Sequence, residues 1–551
     1  MTANYKSRHG SIAIVKQPSR TGGLALASPS AFVTTGAGNA GGTTAVSTSL
    51  GGANDAAWVS NIVECVKSTN IQNVGCRAMV VAFAQSTNTL TFDKAFPAQV
   101  ASGDAFRMYT TPDAPIVATS AVTGGATIIA TGRTEADDYW NGVADIGGYY
   151  VEVVSADNAV ATQHPLISDF TASSDTVTLG TSLGVNVAVG DFFRALKHVA
   201  AEGIAMLAPE QPDIPANTLV AGYGQEAPVP GNRGGGGAIV LHSRGPGRTR
   251  DGLASEADEA LSCALTATAG RTGVVVHTGS TISSVVYDAG TPDVGDVLVT
   301  SQGDAFMVTA DSGTALTPLP PLRNVPIDGE TLVGARTYDP PTSQPGALTV
   351  YNWLGSGLLD IYYGCSVVPT FTWARGEHAK INLALRATDF YSTSGERSWY
   401  PRLPTSRAQR TRDMRVVLYD GTNTVELPCL GASFDPGVES KELVNLTVPN
   451  ESSGYDTVNV QGGGALKVRV DSTTLRLLRD WEGRRQVSIL IQSGATTGDS
   501  GIDGVIVYAA TLAGVPRSDD GGEVVIDMAF TVVRSETAIA AGLPQYRYFR
   551  A

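Results

Sequence analysis

The sequence predicts a mainly β protein: two small tandem β-domains, followed by a larger β-sandwich or barrel with one flanking helix. Three observations predict this. An ungapped repeat lies within the first 200 residues, and short stretches of alternating apolar and polar residues recur through the rest of the chain. Helical spacing of apolar residues is clear in one segment, residues 254–266. With 551 residues, the chain is long enough for three or four domains.

Composition excludes several classes of protein. Glycine is frequent (62 of 551 residues), and only 16% of the residues are charged, against about 25% in an average soluble protein. The net charge of −14 argues against a surface that grips nucleic acid, because such binding depends on cations. No apolar run approaches the ~20 residues of a membrane-spanning helix. Residues 1–22 lack the apolar core of a signal peptide, so we expect a protein made and kept, at least initially, in the cytoplasm.

The repeat predicts the two tandem domains. Phe83–Asp104 aligns without gaps to Phe170–Asp191, at a constant offset of 87 residues. This period is too long for a solenoid unit. Each copy contains a polar turn, an alternating strand, a Gly-Asp turn and an apolar strand, which indicates a small barrel or sandwich. We expect the aromatic residues of the two copies to be core residues: Trp58, Phe83, Trp140 and Phe170.

The next segment, from about residue 201, is rich in Pro and Gly. Its run Gly231–Gly237 lacks the Gly-Lys-Ser/Thr of a phosphate-binding loop and precedes a strand-like stretch, so a flexible loop or hairpin is expected. The stripe of apolar residues then predicts a helix over Ala254–Thr266, whose first turn carries acids where the helix dipole favours them. A second short helix is expected over Ser472–Trp481.

Alternation predicts most of the remaining strands. The clearest is Glu523–Arg534, in which Val524, Ile526, Met528, Phe530 and Val532 face one way. The other candidates are Gly273–His277, Val297–Thr300, Ala305–Thr309, Leu348–Trp353, Ile361–Trp373, Lys380–Ala387, Val416–Tyr419, Leu443–Val448, Ala465–Val470, Gln486–Gln492 and Gly504–Thr511.

No motif predicts catalysis. The tetrapeptide from Gly498 to Gly501, with Ser500 as its serine, is the one found around the nucleophile of chymotrypsin-like proteases, but no histidine has the matching context. A turn between two strands explains the same letters. Metal-binding and cofactor-binding motifs are absent from the sequence, so we expect neither an enzyme nor a cofactor.

The five cysteines form no metal-binding pattern. Cys65 and Cys76 could be neighbours across a hairpin, although free thiols in a reducing cytoplasm are the favoured interpretation. Whether these two pair is left open by the sequence.

One segment concentrates basic residues. Because Pro401 and Pro404 interrupt any strand or helix there, a long loop is predicted. It could contact an acidic neighbouring subunit or a nucleic acid, or it could be a solvated loop; the net charge favours the protein neighbour over nucleic acid. The arginines that we assign to an inter-subunit contact are Arg397, Arg402, Arg407, Arg410 and Arg412, and Arg415 follows them.

The second half of the chain resembles the tail tube proteins of long-tailed bacteriophages. The resemblance lies in Leu348–Phe390, where a strand passing through Gly364-Cys365 is followed by an apolar strand, a turn and a second alternating strand. The C-terminal block from Gly504 to Phe530, with an Asp-Gly turn before the last long strand, is similar to the closing hairpin of that family. The segment Leu241–Gly247, which leads to the helix, also fits.

The resemblance implies a function without catalysis. Family members close into rings, usually six-fold or pseudo-six-fold, and the rings stack into a tube that holds the tape-measure protein and later passes double-stranded DNA. Tail terminator and tail tip proteins are the other implied partners, and a phage tail assembled in the host cytoplasm is the implied location. The competing interpretations are a capsid decoration protein and a tail fibre protein.

These expectations divide the chain into five parts. Residues 1–30 and 536–551 are assigned to terminal arms, and residues 31–115 and 116–200 to the two small β-domains. The tail-tube-like domain is assigned to residues 201–535. The two small domains resemble the ornaments that large tube proteins carry on their outer surface.

Overall fold

A computed structural model provides the fold. It describes residues 11–17, 23–51, 54–113, 115–133, 135, 140, 148–155, 165–202, 207–210, 213–214, 219–220, 224–225, 229–230, 233–244, 256–271, 273–354, 357–395, 411, 414–445, 452–469, 475, 478–479, 481, 485–494, 501–513, 517–520 and 523–551. The protein is mainly β, as predicted. Within these residues, no helix has both the length and the apolar character needed to cross a membrane.

The N-terminal part of the chain contains its first strand and the strands of two small barrels, and four of these strands belong to the large central sheet. Its strands are β1 (Ser11–Lys16), β2 (Ala25–Val33), β3 (Thr44–Val46), β4 (Ile62–Lys67), β5 (Arg77–Ala84), β6 (Thr89–Phe92), β7 (Ala105–Thr110), β8 (Ile116–Val117), β9 (Thr127–Ile129), β10 (Tyr150–Ser155), β11 (Ile167–Thr171), β12 (Thr176–Leu179) and β13 (Phe192–Val199).

The middle part contains the helix and a third barrel. Its elements are β14 (Ala208–Glu210), β15 (Asp213–Ile214), β16 (Leu219–Val220), β17 (Gly224–Gln225), β18 (Val229–Pro230), β19 (Gly234–His242), α1 (Asp258–Ala264), β20 (Thr266–Thr268), β21 (Val274–Val276), β22 (Val285–Ala289), β23 (Val297–Val299), β24 (Ala305–Asp311), β25 (Ala315–Leu319), β26 (Thr331–Gly334) and β27 (Arg336–Asp339).

The C-terminal part supplies most of the central sheet. Its elements are β28 (Leu348–Trp353), β29 (Gly357–Ala374), β30 (Lys380–Ala387), β31 (Asp389–Gly395), β32 (Arg415–Tyr419), β33 (Thr424–Leu427), β34 (Cys429–Asp435), β35 (Val438–Val444), β36 (Ser452–Val460), β37 (Gly463–Arg469), β38 (Gln486–Ser493), β39 (Asp503–Ala513), β40 (Arg517–Asp520), β41 (Glu523–Val532), α2 (Glu536–Ala540) and β42 (Tyr546–Arg550).

The central sheet is organised around the long strand β29. Its first half pairs with β28 and β31, and its second half pairs with β30 and β34. Strand β30 continues to β19, and β34 continues through β37 and β41 to β39. The aromatic rings of Phe371, Phe434 and Tyr548 pack in the core that this sheet encloses, with the centroids of Phe371 and Tyr548 3.9 Å apart.

The predicted tandem repeat corresponds to two barrels with the same strand order. Barrel 1 (residues 25–110) has the order β2-β7-β4-β5-β6-β3, and a bridge from Gly36 to Val46 brings its two end strands together. Barrel 2 (residues 116–199) has the order β8-β13-β10-β11-β12-β9, closed by the bridge from Ser120 to Ile129. Phe83, Phe170 and Trp140 are buried core residues, as predicted, whereas Trp58 is only partly buried and packs against the same core.

The predicted Gly-Asp turn has the same geometry in both barrels. Gly103 and Gly190 adopt φ angles of +91° and +90°, a region that favours glycine. The carboxylates of Asp104 and Asp191 each accept a hydrogen bond of 2.8 Å from the backbone amide three residues earlier. The two acids are therefore turn-forming residues, which explains why they are retained in both copies.

A third barrel, which the sequence did not reveal, lies inside the segment assigned to the tail-tube-like domain. Barrel 3 (residues 274–334) is closed in the order β21-β26-β23-β24-β25-β22, so its strands follow one another as in barrels 1 and 2. Its last strand is again preceded by a glycine with positive φ, Gly329 (+76°), and an acid, Glu330. The Glu330 carboxylate accepts from the Ile327 amide at 3.0 Å. Residues 201–535 therefore do not form a single sheet domain.

The described parts of the two segments assigned to terminal arms contain strands of the central sheet. Strand β1 is inserted between β13 and β28, and β42 lies between β27 and β39. The side chains of Ile14 and Tyr548 are buried. Residues 1–10 lie outside the described part of the chain.

The helix is shorter than predicted. It ends at Ala264, because Leu265 takes an extended conformation and Thr266–Thr268 then pairs with β27; β-branched threonines suit a strand better than a helix. Of the second predicted helix, the described residues Leu475, Leu478, Arg479 and Trp481 are helical.

Candidate assembly surface

The glycine run forms a strand with almost no side chains. Gly234–Gly237 begins β19, not the predicted loop or hairpin, and pairs with β30 through Gly236 and Arg386. On the core side of this strand, a larger residue than glycine would collide with a neighbouring ring at one position: a Cβ on Gly235 would lie 2.7 Å from a ring carbon of Tyr362. The other side of the strand therefore exposes backbone where an ordinary strand would expose side chains.

A groove runs over this bare backbone. Its volume is about 1080 Å³, with β19 and β30 as its floor and the hairpin β35–β36 as one wall. We call this hairpin the exposed hairpin and the cavity the glycine groove. Its charged lining residues are of both signs: Arg233 and Arg386 on the sheet side, Glu439 and Glu442 on the hairpin, and Glu210 at the end of β14.

One phenol lies in the groove wall. Tyr455 of β36 pairs across the hairpin with Glu442. Burial, and then the negative charge of Glu442, raise the pKa of Tyr455 to about 12. Tyr455 is therefore neutral over the physiological range and can act as a hydrogen-bond donor, but not as a base.

The exposed hairpin carries apolar side chains in contact with solvent. Its two strands pair only with each other among the described residues. Val444 is 72% exposed, Val458 54% and Leu443 44%. Because Leu443 and Val444 are consecutive in a strand, their side chains point to opposite faces of the ribbon. Apolar side chains at this end of the hairpin are therefore in contact with solvent on both faces of β35.

The arginines predicted to form an inter-subunit contact lie in a segment that the structure does not describe. Arg397, Arg402, Arg407, Arg410 and Arg412 lie outside the described residues. The neighbouring arginine, Arg415, lies in β32 and is buried; its guanidinium is 3.1 Å from Asp304 and 3.5 Å from Glu426. Through its ion pair with Asp304, Arg415 links β32 to barrel 3. It lies in this strand and not in the predicted arginine-rich loop.

The described residues contain no cluster of metal-binding side chains. They include no group of three or more His, Cys, Asp or Glu side chains that could hold a metal ion. His242 and His378 are in ring contact at 4.9 Å, and burial lowers the pKa of His242. Strands β38 and β39 pair as the predicted hairpin, while Ser500 lies outside the described residues.

Sequence patterns did not predict the main features of this surface. Alternation predicts a strand at Leu443–Val448, but the exposure of Leu443 and Val444 depends on which strands lie beside them. The glycine run was the one sequence feature that could have indicated the groove. Four glycines beside an alternating stretch are typical of a strand whose backbone another chain segment or a ligand approaches closely. A scan against protein-family models and a search of curated proteins found no match to this chain.

Proposed function

We propose that this chain is a structural subunit that polymerises, and that its polymer is the tail tube of a long-tailed bacteriophage. The observation that carries the first part of this proposal is the exposed hairpin, whose strands pair only with each other among the described residues and whose Leu443, Val444 and Val458 side chains are exposed to solvent. The second part rests on the resemblance of residues 348–390 and 504–530 to the tail tube family.

The exposed hairpin has two strands that pair only with each other among the described residues, so both of its edges lack a strand partner there. Two strands alone are marginally stable in water, and their outer edges offer unpaired backbone groups to another chain. A neighbouring copy that covered Leu443, Val444 and Val458 would remove this apolar surface from water and satisfy both edges. Repetition of the same contact in each copy produces a ring when the rotation closes.

The low charge of the chain suits such a subunit. Buried unpaired charges are costly, and a chain with only 16% charged residues has fewer of them to cover at its contacts. Each copy adds a charge of −14, a sign that disfavours adhesion of DNA phosphates to a tube wall. In the proposed tube, the tape-measure, tail terminator and tail tip proteins are the partners, and DNA passes without being bound.

The decisive experiment compares assembly of two double variants with that of the unmodified chain. Leu443→Asp/Val444→Asp places charges in the proposed contact. Val325→Asp/Ile327→Asp is the matched control, because these barrel 3 side chains are also exposed, at 52% and 53%. Full burial of Leu or Val is worth about 1.5–3 kcal/mol, so we expect a loss of about 2–3 kcal/mol per contact. This corresponds to a rise of roughly 30–160-fold in the concentration needed for assembly.

Negative-stain electron microscopy and sedimentation velocity over a concentration series are the measurements. We expect tubes of uniform diameter from the unmodified chain and the control, and monomers from the hairpin variant. Discrete trimers would favour the tail fibre or decoration alternatives. Monomers of the unmodified chain at every concentration would rule out self-assembly, and tubes from the hairpin variant would rule out this contact.

A further inference from the structure

We propose that Cys65 and Cys76 of barrel 1 are a thiol–disulfide modification site, which a small disulfide such as oxidised glutathione converts to an intramolecular bond. The proposal does not depend on the proposed function. It rests on the position of the two cysteines across an antiparallel strand pair, on their difference in exposure, and on the environment of the remaining three.

The strand register places the two residues opposite each other. Strand β4 pairs with β5 through Val63 and Ala78, and then Glu64 and Arg77. Beyond Arg77, the backbone amide of Cys65 donates to the carbonyl oxygen of Cys76 at 3.0 Å, and the carbonyl oxygen of Cys65 accepts from the amide of Gly75 at 2.8 Å. Cys65 therefore lies opposite Gly75 and Cys76, and its charge interaction with Cys76 is consistent with this proximity.

Residues that face each other in an antiparallel pair have Cα atoms about 4.5–5.5 Å apart, within the range of about 4.4–6.8 Å found for disulfides. Their side chains also lie on the same face of the sheet. The backbone hydrogen bonds thus bring the two residues into the range in which disulfides are found.

The two thiols differ in access, which sets the order of reaction. Cys65 is buried, whereas Cys76 is partly exposed, and its Sγ lies 3.3 Å from the carbonyl oxygen of Gln72 in the connecting loop. Burial raises the pKa of Cys65 to about 11. The solvent-accessible thiol therefore reacts with the reagent first, and the buried thiol resolves the product.

The chemistry balances in two exchange steps. The thiolate of Cys76 attacks one sulfur of oxidised glutathione, forming a mixed disulfide and releasing one glutathione thiolate. Cys65 then gives up its proton, and its sulfur attacks Sγ of Cys76 and expels the second glutathione. Two protein thiols are oxidised, one glutathione disulfide is reduced, and the two released thiolates take up the two protons.

The remaining cysteines provide internal controls. Cys263 and Cys365 are buried and Cys429 is partly exposed. Burial raises the pKa of all three, that of Cys263 to about 12 and that of Cys429 to about 11. In barrel 2 the position of Cys65 is taken by Val153. Cys65 pairs with Phe106 in barrel 1, and Val153 pairs with the equivalent Phe193 in barrel 2. The modification is therefore specific to barrel 1, where it would pin the loop that carries the exposed residues Ile71 and Val74.

In the test, the full chain, folded and reduced, is incubated with oxidised glutathione at pH about 8. The remaining free thiols are then alkylated, and the peptides are identified by mass spectrometry. We expect the unmodified chain to lose two hydrogens and to yield one linked peptide pair, Cys65 with Cys76. In Cys65→Ala, where the resolving thiol is missing, Cys76 should instead retain one glutathionyl group. Cys76→Ala should acquire neither modification in barrel 1, and Cys429→Ala should behave like the unmodified chain.

Circular dichroism of each reduced variant establishes that it is folded before oxidation. The proposal is overturned if Cys76 in the unmodified, folded chain keeps its glutathionyl group, or if it remains unmodified under conditions that label it in Cys65→Ala. A linked pair that includes Cys263, Cys365 or Cys429 in the folded chain would also overturn it.

Discussion

The buried carboxyl group of Asp503 makes the stability of the central sheet depend on pH. Asp503 begins β39 and is 2% exposed. Its carboxylate accepts hydrogen bonds from the Trp373 indole at 3.3 Å and the Tyr548 hydroxyl at 3.4 Å. Burial raises its pKa to about 6, although the nearby Arg550 guanidinium acts in the opposite direction.

The direction of the effect follows from the two forms of the carboxyl group. An unfolded Asp titrates near pH 3.9, so between about pH 4 and 6 the folded state holds a proton that the unfolded state has lost. Raising the pH through this window therefore lowers the free energy of unfolding. A shift of about two pKa units corresponds to about 3 kcal/mol. The stabilisation is complete below about pH 4 and absent above about pH 6.

The matched variant is Asp503→Asn, which keeps the shape and a carbonyl oxygen for Trp373 but does not titrate. Other buried acids with raised pKa values, such as Glu256 and Asp389, titrate in both proteins and cancel in the difference. Urea unfolding at a series of pH values should show the unmodified chain losing about 3 kcal/mol relative to Asp503→Asn between about pH 4 and 6. A difference that stays constant within about 0.5 kcal/mol would refute this account of Asp503.

Two further substitutions test the junctions of the fold. Arg77→Met should destabilise the chain by about 3–5 kcal/mol. In the unmodified chain the Arg77 guanidinium lies 3.0 Å from the buried carboxylate of Asp389, and the substitution leaves that carboxylate without this partner. The double variant Arg77→Met/Asp389→Asn should recover part of this loss in the same urea assay, and no recovery would show that the charge is not the cause. Gly235→Val should cost about 1–3 kcal/mol by overpacking against Tyr362, whereas Ala238→Val, at an exposed position of the same strand, should be nearly neutral; equal losses would show that the ring contact does not require glycine.

Local patterns were sufficient to predict many of the strands. The bounds of β28 and β30 match the prediction, and in β30 apolar and polar residues alternate clearly. Barrel 3 was missed because it keeps only the turn of the repeat, and a turn of the type Gly329-Glu330 is too common to indicate homology. The exposed hairpin shows a different limit: alternation identifies a strand near Leu443, but whether that strand is covered depends on chain segments distant in sequence.

The barrels also restrict where copies of this chain can meet. Barrels 1 and 2 share one apolar core with a face of β28 and β29 that includes Tyr351 and Ile361, and barrel 3 packs on Val417 and Leu490 of β32 and β38. Those faces are already occupied and cannot be assembly contacts without displacing a barrel. The glycine groove and the exposed hairpin lie on parts of the central sheet that the described barrels leave open. Assembly through the central sheet therefore predicts that the hairpin variant loses tubes while the barrel 3 variant keeps them, and assembly through the barrels predicts the reverse.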